Sequence, residues 1–184
     1  MAMLVTIPVF VSFGYNAAFY GPYVTNELGM NSSFIGISSI VSIAVEVIFL
    51  MFMDRMVRRI PIKALLLGIA LLVTVRWLVY GLTDDPLWVL VFFGIEGISS
   101  VATYFFVSYY FKRIAPPEGK VSTQTLVSIY AYCICRGIGA MSGSTIIELM
   151  GSQQNSYIFW ACITGAAALI FILTPVKFQK EENV

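Results

Sequence analysis

Long apolar runs, separated by short polar breaks, organise this sequence. Crossing a bilayer takes about 20 mostly apolar residues, and six runs reach that length. They cover roughly residues 3–25, 33–53, 62–82, 87–111, 121–147 and 155–175. In lipid only helices or closed barrels satisfy the backbone, and these runs are too long and too uniformly apolar for barrel strands. The pattern predicts an all-α integral membrane protein, with six transmembrane helices in residues 1–176 and a short cytoplasmic tail at 177–184.

The composition supports a membrane class. Hydrophobic residues make up 59% of the chain, charged residues make up 11%, and the mean hydropathy is +0.86. Because soluble domains carry about 25% charged residues, this sequence does not supply a water-soluble surface, and a lipid bilayer is the expected surrounding. The net charge of +1 leaves no basic excess that would indicate a nucleic acid partner.

Lysine and arginine are unequally distributed among the breaks. With six spans, the two termini and the breaks after spans 2 and 4 share one side of the membrane. That side holds nine basic residues, namely Arg55, Arg58, Arg59, Lys63, Lys112, Arg113, Lys120, Lys177 and Lys180. The opposite side holds none and carries Glu27, Asp84 and Asp85. Because cytoplasmic loops are enriched in basic residues, we expect a multi-pass protein with both termini in the cytoplasm.

Four charged residues interrupt the apolar runs: Glu46 in span 2, Arg76 in span 3, Glu96 in span 4 and Arg136 in span 5. A charge near the bilayer centre costs about 2.5–3.5 kcal/mol on translocon-based scales. These side chains must therefore be paired, hydrated or neutralised. Helices rise ~1.5 Å per residue, which places Glu96 at a depth from which it reaches either arginine, so the sequence leaves the pairing open.

Polar residues recur at helical spacing beside these charges. They are Ser12, Asn16 and Tyr20 in span 1; Ser38, Ser42 and Glu46 in span 2; Glu96, Ser99, Ser100 and Thr103 in span 4; and Ser128, Tyr132 and Arg136 in span 5. Residues three or four apart share a helix face, and converging polar faces form a hydrated path or a binding site. Asn16, Ser42, Ser100 and Tyr132 are the candidate cavity-lining residues. In the alternative reading, the charge pairs only lock the helices together.

Other residues indicate packing rather than chemistry. Gly139 and Gly143 form a GxxxG pattern, which lets helices approach closely. Tyrosines near span ends commonly form an interfacial belt. The tyrosines in such positions are Tyr23, Tyr109, Tyr110 and Tyr157.

Catalytic and metal chemistry lack their usual residues. The chain contains no histidine, which removes Ser–His catalysis and histidine-ligated metals. Cys133, Cys135 and Cys162 lie in apolar runs, where free thiols behave as small hydrophobes. We therefore expect a protein that is not an enzyme, with no cofactor and no metal site.

The break after span 2 carries a loop motif. It consists of Asp54, Arg55, Arg58 and Arg59. An acid, a base and then a basic pair between the second and third helices resembles the loop signature of the major facilitator superfamily. The family pattern has glycines at two positions that are occupied here by Leu50 and Val57.

Further short motifs follow in the order that this family shows. They are YGPYV at 20–24 before ELG at 27–29, AVE at 44–46, RWL at 76–78, EG at 96–97 and IAPP at 114–117. The ordered set covers nearly the whole chain. It resembles the lactose permease–nucleoside symporter branch, in particular the animal type called major facilitator superfamily domain-containing protein 6.

The resemblance implies a function and a partner. A facilitator has twelve spans, so this chain would be a fragment, the C-terminal half of a twelve-helix fold. Its partner would be the N-terminal six-helix half of the same protein or a second copy. The implied activity is proton-coupled symport of a small solute by alternating access. The alternative is a non-transporting, receptor-like or scaffold membrane protein that keeps the fold.

Residue roles also follow from the resemblance. In that branch, acidic and basic residues of these helices serve proton coupling and substrate binding. The resemblance places Glu46, Arg76, Glu96 and Arg136 at such positions. Many relatives carry a histidine where this chain has Glu96.

Overall fold

The computed structural model describes residues 2–116 and 119–173, and this part of the chain is helical without a strand. The α-helices are α1 (Ala2–Pro22), α2 (Ser33–Arg59), α3 (Ile62–Leu82), α4 (Pro86–Ile114), α5 (Lys120–Ser128), α6 (Arg136–Met150) and α7 (Gln153–Leu173). Two π-helical segments, Tyr23–Glu27 and Ile129–Cys135, follow α1 and join α5 to α6. The predicted tail at 177–184 lies outside the described residues.

Most of these helices meet the length and hydropathy of a membrane span. Five such stretches are present in the described part of the chain: Ser33–Arg59, Ile62–Leu82, Pro86–Lys112, Val121–Met150 and Gln153–Leu173. Helix α1 adds 21 residues without a charge. Together they match the six predicted spans, because α5, the second π segment and α6 form one continuous fifth span. The prediction of an all-α integral membrane protein is confirmed.

Local sequence explains where the helices begin and end. Asp85 caps α4 by accepting a hydrogen bond from the Leu87 backbone N at 2.9 Å, and Pro86 occupies the first turn, where proline is favoured. Ile60 precedes a proline and has extended backbone, as expected of a residue before proline. Gly151 ends α6 with a φ of 75°, a conformation that glycine adopts readily.

Polar contacts tie three connections together at one end of the bundle. Glu27 accepts hydrogen bonds from the backbone N of Gln153 at 2.6 Å and of Gln154 at 3.1 Å, so it caps α7. The Gln154 side chain donates to Asp84. We call this the acidic end. Asp54 and the arginines that follow it lie at the other end of α2, which we call the basic end. Successive spans therefore alternate in direction.

Helix α1 lies in the middle of the packing. It contacts α6, α7, α3 and α4, while α3 packs on α7 and α2 packs on α4. Glycines allow the closest of these approaches. A Cβ on Gly139 would collide with the Val11 carbonyl of α1, and a Cβ on Gly143 would collide with the Phe19 ring. The GxxxG pattern acts in packing, as predicted.

A cluster of aromatic rings fills the bundle towards the acidic end. Tyr23 and Tyr157 are fully buried there, so their assignment to an interfacial belt was wrong. Trp77 stacks on Tyr157 with centroids 5.4 Å apart, and Tyr23 meets Tyr157 edge-on at 5.0 Å. The Tyr23 hydroxyl donates to the Tyr80 carbonyl at 2.9 Å. Their hydroxyls find partners inside the protein, which removes the need to face the membrane surface.

Candidate functional site

Arg76 of α3 is fully buried inside the bundle. Its Cζ lies 4.0 Å from the centroid of the Trp77 ring and 5.2 Å from that of Phe13. Its Nη1 donates to Ser99 Oγ of α4 at 3.2 Å and lies 3.8 Å from Glu96 Oε2. The aromatic faces and the carboxylate together compensate the charge that burial removes from water.

Glu96 of α4 is the partner that Arg76 meets. Its carboxylate accepts two hydrogen bonds from Asn16 Nδ2 of α1, at 3.0 and 2.9 Å. The Asn16 Oδ1 accepts from the Tyr157 hydroxyl of α7 at 3.1 Å. We call Asn16, Arg76, Glu96, Ser99 and Tyr157 the central network. It joins four helices, and it settles a pairing that the sequence left open.

The hydrogen bonds and the counter-charge of Glu96 come from different residues, which is unusual for an ion pair. The direct hydrogen bonds to the carboxylate come from the neutral Asn16 amide, while Arg76 contributes charge at 3.8 Å. Nε and Nη2 of Arg76 are buried without a hydrogen-bond partner among the described residues. The Glu96 side chain keeps 14% of its surface exposed. This carboxylate is therefore held inside the bundle with part of its side chain exposed.

The other two intramembrane charges lie apart from this network. Glu46 and Arg136 are both half-buried, each near the middle of its span. Within the described residues neither belongs to an ion pair, and Arg136 Nε is buried without a hydrogen-bond partner. The Arg136 Cζ lies 5.0 Å from the Tyr132 ring centroid. Tyr132 is within electrostatic range of both Arg136 and Glu46.

Two tyrosines build a wall beside Arg136. The Tyr132 ring lies 5.2 Å from that of Tyr104 on α4. The Tyr104 hydroxyl shares a hydrogen bond of 2.6 Å with Ser128 Oγ of α5. Tyr104 also lines a cavity of about 330 Å³ that opens at the basic end between α2, α4 and α5. The remaining residues that line this cavity are Asp54, Phe105, Ser108, Tyr109, Lys112 and Gln124.

The remaining candidates fall into two groups. Ser42 is buried where α2 meets α4, and the half-buried Ser100 donates to the Gly97 carbonyl at 3.3 Å. Ser42 lies at the contact of the two helices, because a Cβ on Gly97 would collide with the Ser42 carbonyl, whereas the hydrogen bond of Ser100 stays within α4. The motif residues lie exposed in the last turns of α2 and at the cavity. They are Asp54, Arg55, Arg58 and Arg59.

Two members of the central network were not singled out from the sequence. Ser99 belongs to the polar face that was recognised in span 4, but nothing in that spacing separates it from Ser100. Tyr157 was assigned to the membrane surface because of its position near a span end. Its burial depends on how α7 is rotated against α1 and α3, and the sequence gives no signal for that rotation.

Comparison with known proteins gives one positive result. Residues 1–159 match the model of the MFS_1 like family. Neither the curated proteins nor the solved structures contain a match. The matched stretch spans the helices that hold the central network, the Arg136 wall and the loop motif. The chain belongs to the MFS_1 like family of the major facilitator superfamily, and it is a multi-pass membrane protein of transporter type.

Proposed function

We propose that this chain moves a small solute across the membrane by alternating access, coupled to protons, as the C-terminal half of a twelve-helix transporter. The observation that carries the proposal is the central network. A carboxylate within a membrane span marks a functional site by default, and carboxylates serve as proton relays in transporters. Glu96 meets an arginine and keeps an exposed edge, which is the arrangement that such a relay needs.

Within the central network, a change in the protonation of Glu96 would change its contacts with neighbouring helices. With Glu96 ionised, Asn16 donates to both carboxylate oxygens and Arg76 balances the charge. A nearby arginine favours the ionised carboxylate, and its withdrawal favours the protonated one. A proton taken up by Glu96 removes the charge that faces Arg76, so proton uptake and release change the contact between α3 and α4. That is the coupling step of the proposal.

A partner half follows from the face that α2 and the fifth span present. Tyr132 is exposed and Glu46 and Arg136 are half-buried, and lipid accommodates the two charges poorly. We propose that the N-terminal six-helix half of the same protein covers it, or a second copy of this chain, with the solute between the halves. The basic end faces the cytoplasm in this arrangement. The short motifs support the branch of the animal domain-containing protein 6 type.

The transport test uses the complete protein in vesicles with an imposed pH gradient. The vesicles are incubated with a mixture of small metabolites, and the solutes that enter are identified by mass spectrometry. We expect protein-dependent accumulation that a protonophore abolishes. Glu46→Gln and Glu96→Gln are expected to abolish this accumulation and to spare exchange of the same solute, because neither variant side chain binds and releases a proton.

Two results would contradict the proposal. Normal accumulation by both glutamine variants would exclude proton coupling through these residues. Absence of entry for every solute would favour the alternative of a receptor-like or scaffold protein. That alternative draws support from one observation, the full burial of Arg76 between two aromatic rings.

The partner is tested by the size of the native protein. An antibody raised against residues 177–184 is used to probe membranes of the source cells. This six-span chain has a mass of 20.4 kDa. A protein that also contains the N-terminal half has twelve spans, so we expect a band at about twice that mass or more. A band near 20.4 kDa would instead assign the partner role to a second copy.

A further inference from the structure

Arg136 has the surroundings of a ligand-binding arginine. In the middle of the membrane an arginine needs a counter-charge or water, and Arg136 has no acidic partner within the described residues. Its Nε is buried and unpaired. Arg76 also has unpaired nitrogens, but it has Glu96 as a counter-charge, a hydrogen bond to Ser99 and two aromatic faces. The two intramembrane arginines therefore differ, and only Arg76 has its charge balanced within the described part of this half.

The backbone of Arg136 is fixed in place. A Cβ on Gly14 would collide with the carbonyl oxygen and the Cα of Arg136, so α1 crosses the fifth span in direct contact at this residue. The π-helical segment Ile129–Cys135 ends immediately before it. Single π segments inside helices are frequent at functional sites, since they change the direction in which the next side chains point.

Two tyrosines connect Arg136 to the cavity at the basic end. Tyr132 keeps 49% of its surface exposed, and its ring contacts that of Tyr104, which lines the cavity of about 330 Å³. The Tyr132 ring lies between the Tyr104 ring, at 5.2 Å, and the Arg136 guanidinium, at 5.0 Å. Guanidinium groups bind carboxylates and phosphates through parallel hydrogen bonds.

We propose that Arg136 binds the anionic group of the transported solute, a carboxylate or a phosphate, while Tyr132 and Tyr104 form the wall along which the rest of the solute lies. This inference rests on the proposed function and names the substrate class. Glu46 on α2 interacts with the same tyrosine, and because like charges repel, we expect it to weaken the binding of an anion. A solute without a negative charge leaves Arg136 uncompensated and binds weakly.

The test measures binding without transport. The complete protein is placed in phosphatidylcholine nanodiscs at constant ionic strength, and its unfolding temperature is followed with increasing acetate, benzoate, inorganic phosphate or phenyl phosphate. Ligands that bind only the folded state stabilise it. We expect stabilisation by at least one of these anions and none by benzamide, the neutral counterpart of benzoate.

The variants give opposite shifts. Arg136→Gln is expected to weaken anion binding by about tenfold or more, because a charged hydrogen-bond donor is lost. Glu46→Gln is expected to strengthen it by about threefold or more, because a like charge is removed. Arg136→Lys keeps the charge and is expected to retain a weaker preference for anions. This variant replaces Arg136→Gln in the test if the glutamine variant does not fold. Lys63→Gln, which removes a positive charge at the basic end, leaves binding unchanged.

Three outcomes would overturn the inference. The first is an anion response that is equal in the wild type and in Arg136→Gln. The second is no response to any of the four anions. The third is stabilisation by phosphatidylglycerol discs through Arg136 without a response to soluble anions, which would assign the arginine to lipid headgroups. Failure of the vesicle assay with intact anion binding would remove the proposed transport and leave this site. Entry of a neutral solute independent of Arg136 would support the proposed transport and refute the anion site.

Discussion

Arg76→Gln destabilises the folded protein by about 3–5 kcal/mol, the usual cost of removing one partner from a buried ion pair. The variant leaves the Glu96 charge in the bundle with only the Asn16 amide as a donor. It also removes the guanidinium from between the Phe13 and Trp77 rings. The rings lose these contacts, and the cavity that remains adds to the loss of stability. Expression falls as well, because a few kcal/mol is a large share of the stability of a domain.

The free energy of unfolding is measured by thiol labelling. Cys135 is buried, whereas Cys133 and Cys162 are exposed, so replacing the latter two by serine leaves Cys135 as the one thiol of this chain, and it reacts only on unfolding. Labelling against denaturant concentration gives the stability of each variant. Lys63→Gln is the control for loss of a positive charge. Lys63 Nζ lies 5.7 Å from the Phe171 ring centroid, so this variant is expected to lose no more than about 1 kcal/mol.

A double variant separates charge from packing. Arg76→Met with Glu96→Gln removes both charges and leaves Asn16 with an oxygen acceptor. Apolar replacement of a whole buried pair is often neutral, so we expect this protein to recover most of the stability lost in Arg76→Gln. A loss below about 1 kcal/mol in the single variant, the level of exposed pairs, would show that Arg76 and Glu96 are not a buried pair.

Gly139→Ala prevents folding. The added Cβ collides with the carbonyl oxygen of Val11 and crowds the backbone N of Tyr15. Overpacking costs about 1–3 kcal/mol when neighbouring side chains shift. Here the obstacle is the backbone of α1, which moves only if the whole helix separates from α6, so the cost is larger. The measurement is the monodisperse fraction on size exclusion and the resistance of the purified protein to trypsin.

Gly137→Ala provides a matched control two residues away on the same helix. Nothing lies within 4 Å of a Cβ at Gly137. Alanine is favoured over glycine inside a helix by about 0.5–1 kcal/mol, so this variant is expected to fold at least as well as the wild type. Equal behaviour of the two alanine variants would refute the close contact of α1 with α6.

The spans and their alternating direction follow from the sequence because hydropathy and loop charge are local properties. Hydropathy and loop charge do not reveal the π segment within span 5, because the apolar pattern continues from Ile129 to Cys135 without a polar break. Backbone hydrogen bonds of the i→i+5 type leave no mark in hydropathy. The prediction therefore gave the fifth span as a single element, as the structure has it, but not the π-helical backbone inside it.

The central network was only partly predictable. Asn16 and Glu96 stand out as polar residues in apolar runs, and their helical spacing with other polar residues indicates inward faces. Depth along the helices left Arg76 and Arg136 equivalent as partners of Glu96. The choice depends on the rotation of α3 against α4 and on the stacking of Arg76 on Trp77, and these are set by packing across the bundle. Tyr157 joined the network for the same reason.

The stacking of Trp77 has an optical consequence. Of the three tryptophans, Trp88 is exposed, Trp160 is buried away from the charges, and Trp77 lies 4.0 Å from the Arg76 guanidinium. Indole emission responds to nearby charge, so its wavelength changes when Arg76 moves away from Glu96. With phenylalanine at 88 and 160, the chain carries a single tryptophan, and it lies beside the ion pair. The state of that pair can then be followed in real time, in a lipid membrane and without any attached dye.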